Sequence, residues 1–320
     1  MRLVSSATAR GVFRRLTLST PLSLLASGLL GPIVSPPAEA QTTTSPPVAP
    51  ISRRGVLQLD PLATGSRDPG AIDPLTGVRS PMRKDWIGLR SVSPETPILV
   101  MAGHADSQGI GGSGTSGEAV GLLGAAPMMA GITDEHYWNL VLAHAVATLG
   151  RERGLRIAFY KPPVRTILDP DDPGTNWSAG RQHALADGYA FEIHFDAYGP
   201  SGVGSGLIPP LHRPFSRIDE SLAQEFGAYP MNFRNRLGGP KRGVAILELG
   251  KLEGRLEASL RDPATRQQTV RLLAERVVAA LEIGLGRRPE RLAPEPISTQ
   301  PAGLRNGFPV TRLPASSGAE

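Results

Sequence analysis

The chain has 320 residues, with 34 Lys and Arg against 29 Asp and Glu, a formal charge of +5 and 40% hydrophobic residues. It has no cysteine, which excludes disulfides, thiolate-bound zinc, iron–sulfur clusters and thiol nucleophiles, and leaves His and carboxylates to hold any metal. With 37 Gly and 31 Pro, the composition supports one core of roughly 200 residues, with loop or linker outside it.

Residues 1–40 read as a targeting signal. Arg10, Arg14 and Arg15 precede an apolar stretch over 16–34, which ends in the small-residue pattern Ala38-Glu39-Ala40. Pro21, Ser23, Ser27, Gly28 and Pro32 interrupt the stretch, so it makes a poor permanent span. The expectation is an exported protein, periplasmic or cell-wall associated, cleaved near Ala40 and without a stable membrane span afterwards. Removing four Arg and Glu39 leaves a charge of +2, too near neutral to argue for a nucleic-acid partner. Residues 41–95 carry Ser/Thr/Pro tracts and the turn dipeptides Asp60-Pro61, Asp68-Pro69 and Asp73-Pro74, and read as an arm or linker. Residues 289–320 read as a Pro-rich tail. The folded domain is expected over 96–288.

Within that domain strand-like and helical runs alternate. Residues 98–101 (Ile-Leu-Val-Met) form a buried-strand run. Residues 134–153 carry Tyr137, Leu140, Val141 and His144 beside Trp138, Leu142, Ala145 and Leu149, a broad helical face ended by Gly154. On that face His144 is expected to be packed. Residues 155–159 alternate like a strand, 178–187 look helical, and 189–195 and 244–249 read as further strands. Asp262-Pro263 supplies an N-cap and an N1 proline for a long helix to Ile283. The pattern predicts an α/β fold, a three-layer sandwich with a mostly parallel sheet flanked by helices.

Ligand sites in such sheets form at the carboxyl ends of the strands. His104 follows the first strand, and His194 and Glu248 lie near the ends of the third and fourth. Glu135 opens the first long helix. Two imidazoles and a carboxylate suffice for a catalytic zinc with one position left for water, and the remaining carboxylate is a candidate general base. Each residue alone has a plainer reading: a lone His at a strand end is commonly a hydrogen-bonded rim residue, and a Glu in a first turn serves the helix dipole. Glu248 is harder to dismiss, because it sits inside Val-Ala-Ile-Leu-Glu-Leu and needs a partner there or stays neutral. Of the remaining histidines, His136 could orient Glu135, and His183 and His212 could support the site. Arg213 and Arg217 could meet substrate carboxylates, though a solvated loop cation is the default.

The four blocks Ala102-Gly103-His104-Ala105-Asp106, Asp134-Glu135, Glu192-Ile193-His194-Phe195-Asp196 and Ile246-Leu247-Glu248-Leu249-Gly250 resemble, in order and context, those of the zinc-dependent N-acetylmuramoyl-L-alanine amidases. The resemblance spans about 96–285. It implies a Zn²⁺ held by His104, Glu135 and His194, Glu248 as the catalytic carboxylate, and peptidoglycan as substrate. The sequence departs from the family pattern in several places. Ala105-Asp106 replaces Gly-Gly, Glu192 and Asp196 replace Ser and Asn, and Lys251 and Gly254 replace an aromatic and an Asn. A Gly-rich insertion from Gly109 to Gly131, expected to act as a flap, separates His104 from Glu135 and makes Glu118 a rival ligand. Glu135 is preferred because the helix pattern follows it.

Gly109-x-Gly111-x-x-Gly114 matches a dinucleotide fingerprint formally but lacks its strand–turn–helix context. Neither a P-loop nor a G-x-S-x-G elbow occurs. Two alternatives remain open: a non-catalytic zinc-containing wall-binding module, and a zinc hydrolase of another peptide amide.

Overall fold

The computed structural model describes residues 66–234 and 237–288. The expected signal segment, the arm up to residue 65 and the Pro-rich tail lie outside the described residues. Among the described residues no helix is long and apolar enough to cross a membrane.

A five-stranded sheet forms the centre. Its strands are β3 (Ile98–Ala102), β4 (Ile157–Tyr160), β5 (Tyr189–Asp196), β6 (Gly206–Ile208) and β7 (Ala245–Lys251), in the order β4-β3-β5-β7-β6. A short hairpin, β1 (Ile72–Asp73) and β2 (Gly77–Val78), precedes it. The first four strands in that order run parallel and β6 closes one edge antiparallel, which agrees with the α/β expectation. The helices are α1 (Gly117–Gly121), α2 (Asp134–Glu152), α3 (Asn176–Leu185), α4 (Arg217–Phe226), α5 (Gly238–Lys241), α6 (Gly254–Arg261) and α7 (Pro263–Gly284).

Strand alternation divides the chemistry from the core. Ile98, Val100 and Ala102 of β3, Phe191, Ile193 and Phe195 of β5, and Ala245, Leu247 and Leu249 of β7 join the main core. There they meet Trp138, Leu142 and Val146 of α2 and Leu273, Val277 and Leu281 of α7. The intervening residues face the other way. Met101, Ala190 and Val244 form a small second core, and Gly180 of α3 packs so closely there that a Cβ would lie 2.5 Å from Val244. Because the side-chain period of a strand is two, Glu192, His194 and Glu248 share the face of this second core. Every residue of β5 is buried, so its polar side chains must find partners inside the protein.

The helix starts follow local chemistry. The Thr133 side chain accepts from His136 N–H at the start of α2, and Asp262 accepts from Ala264 N–H ahead of Pro263 in α7, as the Asp-Pro pair predicts. Contrary to expectation, His144 is exposed, with Phe159 in edge contact at 6.1 Å. The buried stripe of α2 runs instead through Glu135, Trp138, Asn139, Leu142, Ala143 and Val146.

Composition places 41–95 in an arm; its described part, 66–95, packs on the domain. Arg79 is 2% exposed and donates to the carbonyls of Glu225 (2.6 Å) and Gln224 (2.9 Å) at the end of α4. Trp86 is buried and donates Nε1–H to Tyr229 O at 2.8 Å. Asp73 Oδ1 receives Arg276 of α7 at 2.8 Å and the backbone N–H groups of Leu75 and Thr76.

The Asp73–Arg276 pair makes a stability prediction. Burial pushes the Asp73 carboxyl upward, but the Arg276 charge and the hydrogen bonds outweigh it and hold the folded value below the ordinary one. The stabilisation is therefore complete above about pH 5 and fades as the pH falls through the folded value. Asp73→Asn, which removes the shorter of the two carboxylate contacts of the buried Arg276 guanidinium and leaves Glu225 at 3.4 Å, should cost about 1–3 kcal/mol near neutral pH. In urea titrations the gap between variant and parent should narrow as the pH falls below about 5; a gap independent of pH would contradict the assignment.

Candidate metal centre

His104, Glu135 and His194 meet at the carboxyl edge of the sheet, and one ligand atom from each lies within 4.8 Å of the other two. Glu135 Oε1 stands 3.1 Å from His104 Nε2 and 3.1 Å from His194 Nδ1. The two rings are edge to face with centroids 4.7 Å apart. Such a set, two imidazoles and one carboxylate with their donor atoms converging, could hold a divalent metal, and its chemistry suits zinc.

Each member is held from behind. Glu135 Oε2 accepts the Thr115 N–H at 2.7 Å. Asn139, one turn along α2, donates to Glu135 Oε1 (3.4 Å) and to Gly103 O (3.1 Å), tying the helix to the end of β3. Ser113 Oγ lies 2.9 Å from His104 Nδ1 and 2.5 Å from Ser107 Oγ. His104 itself has φ +62°, a left-handed backbone that costs a non-glycine residue energy and occurs where the surroundings fix it. His194 Nε2 is buried without a hydrogen-bond partner among the described residues and has Glu192 Oε2 at 3.6 Å. Gly103 lies against this ring: a Cβ there would come within 2.2 Å of Nε2.

The electrostatics follow the contacts. Burial pushes Glu135 toward its neutral form, but the facing imidazoles His104 and His194 hold its carboxyl well below the usual range. Burial works against a charged His194, and the carboxylates of Glu135, Glu192 and Glu248 outweigh it and raise its pKa. Glu248 sits directly opposite His194 in the β5–β7 register. Burial pushes its carboxyl up to about 8, with His194 opposing and the charges of Asp196 and Glu135 adding to the rise. Its Oε2 is buried and has no hydrogen-bond partner among the described residues.

These groups line a cavity of about 460 Å³, whose other walls include Gly112, Gly114, Thr115, Tyr198 and Arg234. All four residues singled out from the sequence thus face one cavity. Glu118 does not line it: its Oε2 accepts from Gly254 N–H at 2.7 Å, at the start of α6. The insertion 109–131, expected as a flap, supplies Ser113 and Thr115, which contact His104 and Glu135. Arg234, in the left-handed region at φ +46°, was not singled out from the sequence, where nothing marks a loop arginine.

The other departures have internal partners. Glu192 Oε1 accepts from Asn176 Nδ2 at 3.1 Å, and the Asn176 N–H reaches Asp106 Oδ2 at 2.8 Å. Burial, reinforced by the Glu192 charge, pushes Asp106 up to about 6. Asp196 closes the loop after β5, accepting from Ala197, Val203 and Gly204 N–H groups and from the Tyr229 hydroxyl. Lys251 pairs with Glu253 at 2.8 Å. His136 is buried with Nδ1 unpartnered, and burial, with the His104 charge, lowers it to about 4. His183 donates to Pro97 O at 3.0 Å.

No protein-family model and no curated protein matches the chain. Several solved structures do. The catalytic domain of CwlV, an N-acetylmuramoyl-L-alanine amidase from Bacillus (Paenibacillus) polymyxa var. colistinus, is 15% identical, with 60% of this chain and 100% of that one covered and a TM-score of 0.42. The catalytic domain of the CD27L endolysin targeting Clostridia difficile is 16% identical, with 58% and 96% covered and a TM-score of 0.39. The apo N-acetylmuramyl-L-alanine amidase Ami1 from Mycobacterium abscessus is 19% identical, with 58% and 98% covered and a TM-score of 0.38.

The close approach of Gly103 to His194 is open to test. Gly103→Ala must displace the ring or the strand end, and should cost about 1–3 kcal/mol in urea unfolding together with weaker metal uptake in calorimetry. Parent-like stability and uptake would mean that the ring is not fixed there.

Proposed function

We propose that this chain is an exported, zinc-dependent hydrolase that cleaves the amide joining N-acetylmuramic acid to the L-alanine of the peptidoglycan stem peptide. The observation that carries the reading is the placing of Glu135 Oε1 3.1 Å from a nitrogen of each imidazole, with Glu248 on the wall of the same cavity. The amide substrate comes from the four-block motif resemblance. Of the replaced residues, Glu192, Asp196 and Lys251 are engaged with other protein groups, so these departures do not remove the donor set. A signal over 1–40 and a tail over 289–320 belong to the same proposal.

His104 Nε2, His194 Nδ1 and a Glu135 oxygen would hold the ion. When bound, zinc supplies positive charge for the scissile carbonyl oxygen and acidity for the attacking water. The protein's own part is proton transfer and orientation. Glu248, whose side chain lines the cavity, takes a proton from the attacking water and passes it to the leaving amine. Ser113 fixes the ring of His104. Glu192, opposite His194 Nε2, favours the tautomer that leaves Nδ1 free to ligate; carboxylates behind ligating imidazoles commonly do this.

Two kinds of variant separate these roles. Glu248→Gln should keep fold and bound zinc while turnover falls by ~10² or more; parent-like turnover would remove Glu248 from the mechanism. His194→Ala should lose stoichiometric zinc by metal analysis, and Glu192→Gln should weaken zinc binding by about 10–100-fold in chelator competition. Unchanged zinc affinity in both would exclude the triad as the metal site.

A further inference from the structure

A second cleft, of about 450 Å³, opens where the strands begin. The C-terminal half of α3, the loop at 211–213 and the turn that follows α5 wall it. Tyr189 starts β5 beside it, and His194 lies five residues further along, so about 16 Å of strand separate cleft and metal centre. Arg181, His212, Arg213, Lys241 and Arg242 line this cleft, and among the described residues no acidic one does.

Two of these cations are built into the walls. Arg213 lies over the Tyr189 ring, 5.2 Å from its centroid, and donates Nε–H to Gly243 O at 3.3 Å. Its contacts with Asp219 are long, at 3.5 Å. The Asp219 carboxylate is already engaged by the Tyr189 hydroxyl and by the N–H and hydroxyl of Ser216. Arg242 lies over Trp177 at 5.0 Å and donates to Gly238 O and Pro170 O. Its acidic neighbour Asp171, at 3.5 Å, is 75% exposed, so that pairing is worth little. At the rim, Arg181 and Lys241 are exposed, and no side-chain hydrogen bond or ion pair involves either among the described residues. His212 projects from a left-handed backbone at φ +62°. Leu185 and Leu211 supply apolar surface between the cations.

We propose that this cleft binds a phosphate ester. Arg213 and Arg242 each have a carboxylate at 3.5 Å, whereas Arg181 and Lys241 add two cations with no ion pair among the described residues, and a ligand with nearly two negative charges offsets that excess. A phosphomonoester carries about −1.5 to −2 and three acceptor oxygens, and the Arg181 fork beside the Lys241 ammonium suits it better than it suits a carboxylate with one charge and two oxygens. The volume is in the usual range for a small-molecule site, about 300–1,000 Å³. The ester could belong to a soluble phosphorylated sugar or polyol or to a lipid headgroup, and the chemistry recognised is the same. The site is independent of the hydrolase reading.

The test titrates the full chain with inorganic phosphate, with glycerol 3-phosphate, and with phosphatidylcholine vesicles with and without phosphatidic acid. Parent protein should bind at least one phosphate-ester probe. The double variant Arg181→Ala/Lys241→Ala should weaken binding about tenfold or more, with thermal unfolding shifted by no more than a few degrees. Arg151→Ala, an exposed cation of α2 outside the cleft, should bind as the parent does. Preference for glycerol 3-phosphate would assign a soluble ester, and preference for phosphatidic acid vesicles a headgroup. Absence of binding by the parent, parent-like binding by the double variant, or equal weakening by Arg151→Ala would overturn the proposal.

Discussion

One carboxylate organises the described end of this molecule. Glu135 is almost fully buried, yet two imidazoles and a backbone N–H keep it ionised. A buried charge is tolerable only when it is paired and hydrogen-bonded, and each partner imposes a constraint elsewhere. Thr115 must come back from the insertion to meet it. His104 must adopt a left-handed backbone, and position 103 must be glycine for His194 to lie where it does. Asn139 then fastens α2 to the end of β3. The long Gly-rich segment is therefore part of the wall that holds the donor set.

The sheet makes this arrangement affordable. Alternation along β5 sends Phe191, Ile193 and Phe195 into the main core and leaves Glu192 and His194 on the opposite face. Glu248 reaches the same face from β7, directly across from His194. The polar side chains lie where the strands end and a cavity begins, while the apolar half of each strand secures the edge. Behind the site, Asn176 links Glu192 to Asp106, so the substituted positions of the histidine blocks form a connected support. Asp196 similarly binds the loop that follows β5.

Much of this was legible in the sequence because it depends on local pattern. The strand runs at 98–101, 189–195 and 244–249 and the Asp-Pro helix start fall within a few residues of the observed elements, since burial on both faces and a proline at N1 leave clear marks. The order His104, Glu135, His194, Glu248 also marks residues that face one cavity. Three-dimensional partnership was not legible. Asp73-Pro74 looks like a turn in an arm, and nothing local reveals that Asp73 meets Arg276, 203 positions away. His144 shares an apolar stripe on paper, but α2 turns its Trp138–Leu142 side inward. The short antiparallel β6 and the capping box of α4 lie in a segment whose periodicity is too brief to read. Arg234 reaches the cavity only through the path of its loop.

The most direct test of the catalytic reading is a peptidoglycan digest by the purified protein, with and without a chelator, read by mass spectrometry. The account predicts free stem peptides beginning with L-alanine, released only while metal is present. Intact peptidoglycan from a protein that still holds one zinc per chain, or release that persists in chelator, would contradict it.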